Sequence, residues 1–173
     1  MTTSQTPLSV WVDGQRAYVR VSGRANFTTS VDFKRLVQRL QEQGCQEMVL
    51  DLTDCLLMDS TFLGVLASEG HRRVREVEGR TLPGFELVNA SQRVFDLIDN
   101  LGVAHLFKMT RLDLSPAAFE AVEPVHGVSR DEVTRTCLEA HQTLMALNPA
   151  NVPKFKDVTQ FFADSLKKPE AGS

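Results

Sequence analysis

No stretch of this 173-residue chain approaches the roughly 18 consecutive apolar residues of a membrane-spanning helix. The opening Met1-Thr2-Thr3-Ser4-Gln5 lacks the basic and apolar regions of a secretory signal. A cytoplasmic protein without membrane insertion is therefore expected. An excess of one charge is also missing: 19 Lys and Arg stand against 22 Asp and Glu, for a net charge of −3. That balance gives no general attraction to nucleic acid or acidic membranes, so nucleic-acid binding is not expected. Cysteine is scarce, and Cys45, Cys55 and Cys137 are odd in number and far apart. They fit neither a disulfide framework nor a CxxC zinc site. His71, His105, His126 and His141 show neither HExxH nor another paired spacing, which speaks against a metal site. A Gly-rich phosphate loop and a GxSxG nucleophile elbow are absent too. The chain reads as a non-enzyme, with no catalytic residue assigned and no cofactor required.

What the chain does contain is an alternation of strand and helix signals. Val10-Trp11-Val12 and Ala17-Tyr18-Val19-Arg20-Val21 flank Asp13-Gly14-Gln15, the pattern of an opening β-hairpin. Thr28-Thr29-Ser30 offers caps for a helix with an apolar stripe of Val31, Phe33, Leu36, Val37 and Leu40, ended by Gly44. Met48-Val49-Leu50-Asp51-Leu52 reads as a buried strand that leaves through Thr53-Asp54-Cys55. After it, Phe62, Leu63, Val65, Leu66, Val74 and Val77 keep a helical period, with Glu69, His71, Arg72, Arg73 and Arg75 at the other positions. Gly79-Arg80-Thr81-Leu82-Pro83-Gly84 reads as a loop before a strand at Phe85. Such alternation predicts an α/β layer whose later strands are largely parallel.

The most informative stretch is Met58-Asp59-Ser60-Thr61-Phe62-Leu63-Gly64, which sets two hydroxyls where strand turns into helix. Asp59 and Ser60 stand where a side chain caps the first free N–H groups, and on local pattern alone a cap is the commonest meaning. The positive end of the helix dipole there also favours an anion, whether a ligand such as a nucleotide or lipid or a phosphate carried on Ser60.

From this point the chain resembles the STAS domain of anti-sigma-factor antagonists. The resemblance rests on the strand Met48–Leu52, the loop Thr53–Met58, the Asp59-Ser60-Thr61 turn and Leu63-Gly64-Val65-Leu66 opening the next helix. It continues through Phe85-Glu86-Leu87-Val88-Asn89, Ser91 to Leu101, Gly102-Val103 and Leu106-Phe107, and covers roughly residues 8 to 112. It implies an α/β fold with a STAS-like central mixed β-sheet covered by helices. It also implies that Ser60, with Thr61 as alternative, is phosphorylated in a partner-switching pathway of transcription regulation. The implied partners are a serine kinase of the histidine-kinase-like ATPase fold that doubles as the anti-sigma factor, and a PPM-type phosphatase. Partner-binding positions carried over in this way are Asn26, Asp59, Ser60, Thr61, Phe62 and Gly64. The chain departs from the family in having Phe62 where Gly is usual, and Gly23-Arg24-Ala25-Asn26 where an acidic residue often follows the second strand. A scaffold or transport-associated STAS module that is never phosphorylated, and a small-ligand binder, are the rival readings.

The last third lies outside the resemblance. Ser115-Pro116-Ala117-Ala118-Phe119 reads as a short helix start with Pro116 at its first position. Ser129-Arg130-Asp131-Glu132 offers a cap with acidic residues in the first turn, and Val133, Cys137, Leu138, His141, Leu144, Met145 and Leu147 trace an apolar stripe. Past Asn148–Pro153, Phe155, Val158, Phe161, Phe162 and Leu166 trace another. The expected organisation is a STAS domain over residues 1–114 and a C-terminal helical extension over 115–173, a helical hairpin with a short tail. Its stripes are expected to cover the domain or, failing that, to form a partner or homodimer surface.

Overall fold

A computed structural model describes residues 7–124 and 127–168. The chain opens with the hairpin β1 (Leu8–Asp13) and β2 (Arg16–Val21), which turns through Gly14 at φ +63°. A short β3 (Gly23–Ala25) leads into α1 (Phe27–Glu42), and β4 (Glu47–Asp51) and β5 (Cys55–Met58) follow. Then come α2 (Ser60–Arg72), the small hairpin β6 (Arg75–Val77) and β7 (Arg80–Leu82), β8 (Phe85–Val88), α3 (Gln92–Asn100) and β9 (Phe107–Thr110). Beyond them lie β10 (Glu120–Ala121), α4 (Arg130–Leu147) and α5 (Val152–Lys167).

Six strands form one mixed sheet in the order β10-β1-β2-β4-β8-β9. From β2 to β9 neighbouring strands are parallel, while β1 is antiparallel to both of its neighbours. The expected α/β architecture with parallel later strands is what the chain adopts. The sheet also extends past residue 114, the division drawn from the sequence, because Glu120 and Ala121 pair with β1.

Alternate residues of the strands point to opposite faces. Ala17, Val19, Leu50 and Leu87 face the main core beneath the helices, whereas Tyr18, Val49 and Val88 face a second cluster with Trp11, Leu114 and Phe119. On that second face Trp11 stacks on Tyr18 at 4.5 Å, and the Arg20 guanidinium lies 4.3 Å from the Phe119 ring centroid. Arg20 and Asp51, opposite each other in the β2–β4 register, form a buried ion pair at 2.7 Å.

Several local expectations need correction. Helix α1 is capped by Asn26, whose Oδ1 accepts from Thr28 N and Thr29 N at 3.1 Å, so Thr28 and Thr29 lie inside the first turn. Helix α2 stops at Arg72 and does not reach Val77. Glu78 and Gly79 both have positive φ, 51° and 76°, as a two-residue turn between antiparallel strands requires. That turn places Val77 and much of the expected 79–84 loop in the β6–β7 hairpin.

Phe62 does not face outward at the start of α2. It is 0 % exposed and packs at 4.9 Å against Phe33, which in turn lies 6.3 Å from Phe85. The opposite side of α2 lies under α4. Gly64 is the contact point: a Cβ there would run into the Ala140 backbone carbonyl, so only glycine lets the two helices approach this closely. Ala140 and Leu144 of α4 belong to the main core. The buried Asn151 holds the far end of the helix pair, its Nδ2 donating to the Leu101 and Leu144 carbonyls at 2.9 Å each. Ion pairs Lys34–Glu139 and Arg35–Glu132 tie α4 to α1.

Two outcomes follow from this packing. Phe62→Ala should lose about 3–5 kcal/mol of stability in urea titrations, the usual loss for a fully buried aromatic ring. A Gly→Ala change inside a helix normally stabilises by about 0.4–1 kcal/mol where the site is unstrained. At Gly64 the sign should reverse, with a loss of about 1–3 kcal/mol from overpacking against Ala140, visible as a lower urea midpoint.

Candidate functional site

The site is built where the starts of α1 and α2 meet. Asp59 is the cap of α2, and its Oδ1 accepts from Phe62 N at 2.8 Å. Its other oxygen, Oδ2, accepts from Phe27 N at 2.9 Å, at the first residue of α1. One carboxylate thus joins two helix N-termini, and Asp59 N donates to the Ala25 carbonyl at 2.9 Å to hold the strand before α1. The negative charge favoured at these helix ends is already supplied by the chain itself.

Ser60 follows as the first residue of α2 and is partly exposed. Its Oγ lies 2.9 Å from His141 Nε2 of α4. His141 Nδ1 is 2.7 Å from the Cys137 carbonyl, which can only accept, so Nδ1 carries the proton of that bond. In the neutral ring Nε2 is then the acceptor, and Ser60 donates its hydroxyl proton to it. His141 is 4 % exposed, its ring 4.9 Å from that of Phe155 and 5.9 Å from that of Phe162. Both aromatics come from α5, so the ring is clamped from one side and hydrogen-bonded at both nitrogens.

Thr61 is buried beside α4, and its hydroxyl donates to Cys137 Sγ at 3.8 Å. Burial pushes the Cys137 thiol above its ordinary pKa; the Thr61 hydrogen bond acts in the opposite sense and the Asp59 charge reinforces the rise. The thiol is therefore kept protonated and unreactive while α4 stays in place.

Of the six partner-binding positions carried over by resemblance, Asn26, Asp59 and Ser60 are brought together at this junction and partly exposed. The other three are turned away from solvent. Thr61 lies against Cys137, Phe62 points into the core and Gly64 is covered by Ala140, so none of them offers a partner a contact in this arrangement. Phe62 and Gly64 follow from α2 being packed on two sides, which a single apolar stripe would not require.

Three residues that sequence reasoning did not assign to the site adjoin it. Phe27 and Leu56 are apolar yet 47 % and 71 % exposed, Phe27 hydrogen-bonded through its N–H to Asp59 and Leu56 on β5 just upstream. His141 is the third, and its only sequence signal is a polar ring inside the apolar stripe of α4. Among the described residues no group of three His, Cys, Asp or Glu could hold a metal ion, and no helix is long and apolar enough to cross a membrane. His126 lies outside the described residues.

Solved structures of related shape include three anti-sigma factor antagonists or proteins described as such. An anti-sigma factor antagonist from Mycobacterium paratuberculosis is 19% identical with a TM-score of 0.50, covering 60% of this chain and 83% of its own. A Thermotoga maritima protein assigned as an anti-sigma factor antagonist is 17% identical with a TM-score of 0.49, covering 64% and 90%. The anti-sigma factor antagonist SpoIIAA in its unphosphorylated form is 16% identical with a TM-score of 0.45, covering 64% and 91%. No curated protein matches the sequence significantly. The STAS domain family model matches residues 11–117, a span that holds all but the outer edge of the sheet together with α1, α2 and α3. With more than half of its length matched, the chain belongs to the STAS domain family.

Proposed function

We propose that this protein is an anti-sigma-factor antagonist-like regulator, a non-catalytic binding switch in the cytoplasm that is set by phosphorylation of Ser60. The observation that carries this reading is the placement of the Ser60 hydroxyl. It stands at the first position of α2, partly exposed, beside a rim formed by Asn26, Asp59 and the exposed Phe27. An exposed aromatic ring beside polar groups and a hydroxyl is a suitable docking edge for a protein partner. The matching family and the descriptions of its structural relatives support a partner of the kinase-like anti-sigma type.

In this scheme the partner is a serine kinase of the histidine-kinase-like ATPase fold, which brings ATP and its metal ion. The γ-phosphoryl group of ATP bonds to Ser60 Oγ, ADP leaves, and the hydroxyl proton passes to a base of the kinase or to solvent. The product carries about −1.5 to −2 charges at the centre of the rim. That charge stands next to the Asp59 carboxylate and opposes rebinding of the same surface. A PPM-type phosphatase hydrolyses the phosphoserine and resets the switch. Of the two hydroxyls, Ser60 is the better acceptor because Thr61 is buried.

Intact-mass measurement after incubation with candidate kinases of this fold and ATP tests the assignment. The wild-type chain should gain one phosphate and Ser60→Ala none, while Ser60→Ala folds with a stability loss of about 1–3 kcal/mol from leaving His141 Nε2 without its donor. Phosphate on Thr61, or on any residue other than Ser60, would remove the switch from this position. With the partner in hand, Ser60→Asp should lower its affinity. Undiminished affinity of both this variant and the phosphorylated chain would count against a binding switch.

A further inference from the structure

The hydroxyl proposed for modification is also hydrogen-bonded to the first of the C-terminal helices. Ser60 Oγ lies 2.9 Å from His141 Nε2, so a phosphoryl group on that oxygen removes the proton donated to the imidazole and adds bulk and charge beside it. His141 has little room to withdraw. Its Nδ1 is bonded to Cys137 O at 2.7 Å, Phe155 and Phe162 flank the ring, and the residue is buried. The nearest charge on the α2 side is the Asp59 carboxylate, which repels a second anion. The ion pairs that fasten α4, Lys34–Glu139 and Arg35–Glu132, run to α1 rather than to Ser60.

We infer that a negative charge on Ser60 releases α4 and α5 from α2, so that the C-terminal helices are a cover displaced by modification. The inference rests on Ser60 being the modified residue. Release uncovers the flank of α2 at Thr61 and Gly64, together with Ala140, His141 and Leu144 on the helix that leaves. Modification then does two things at once: it charges the rim around Asn26 and Asp59, and it exposes a second, apolar face that the unmodified chain keeps covered by its own C-terminal segment. The unmodified protein is closed on this flank and the modified protein open.

Cys137 reports the state of the cover, because it lies between α2 and α4 and is buried, whereas Cys45 and Cys55 are buried elsewhere in the core. The test uses the full chain as wild type, Ser60→Ala and Ser60→Asp, with iodoacetamide labelling of each cysteine followed by peptide mass spectrometry. Labelling of a protected thiol follows the population of the open form. Ser60→Asp should raise the Cys137 rate about tenfold or more over Ser60→Ala, since its carboxylate stands beside that of Asp59 at the edge of α4, while Cys45 and Cys55 stay protected. Hydrogen exchange should show the same contrast, faster over residues 130–147 and unchanged over β4. Equal Cys137 rates in Ser60→Ala and Ser60→Asp, with equal exchange over α4, would overturn the release, as would all three cysteines becoming reactive together. Because no kinase takes part, a failure here is read separately from a failure of Ser60 to become phosphorylated.

Discussion

Helix α2 is buried on two sides, and the rest of the architecture answers to that constraint. Its run Thr61-Phe62-Leu63-Gly64-Val65-Leu66-Ala67 contains no charged side chain, and every one of these residues is buried. A helix apolar all round must be covered all round. The sheet with Phe33 and Phe85 covers one side, and α4 covers the other through Ala140 at Gly64. The C-terminal helices are thus required by the composition of α2, some seventy residues upstream, rather than appended to a finished domain.

The same constraint explains which parts of the structure were legible. The opening hairpin, α1 and the two C-terminal helices announce themselves by signals that are local in sequence: a Gly14 turn, an apolar stripe, a Ser129 cap with acidic residues in the first turn. The orientation of Phe62 was not legible, because an all-apolar helix has no stripe to say which side faces the sheet. The end of α2 was misread for a different reason. Val74 and Val77 fall on a helical period by coincidence, and the positive φ of Glu78 and Gly79, which turns the chain into β6 and β7, leaves only a single glycine as its trace in sequence. The Ser60–His141 contact joins residues 81 apart, and no local pattern encodes it.

Charge is distributed so that the two faces of the sheet do different work. On one, Arg20 and Asp51 form a buried pair under Phe119, a contact whose loss would leave one charge uncompensated in the interior. At the other, Asp59 places a single carboxylate where two helix N-termini converge, and both of its oxygens are occupied by backbone donors. Asn26 fits this distribution of charge. An acidic residue there would stand close to Asp59, whereas the neutral amide oxygen caps α1 through Thr28 N and Thr29 N without adding a second charge.

The attachment of the C-terminal helices is graded along their length. At the turn between them Asn148 and Asn151 both donate to the Leu101 carbonyl, and Asn151 is fully buried, so this end is anchored in the core. In the first turn and at the middle of α4 the fastenings to α1 are half-exposed ion pairs, each of which contributes about 0–1 kcal/mol. Helix α5 has no fully buried residue and meets the site mainly through Phe155 and Phe162 against His141. Between the firm end and the loose end lies the hydrogen bond from Ser60, at the point where α4 passes closest to α2. The last two helices are therefore secured unevenly, firmly at the buried Asn151 and weakly over α5, which buries no residue fully.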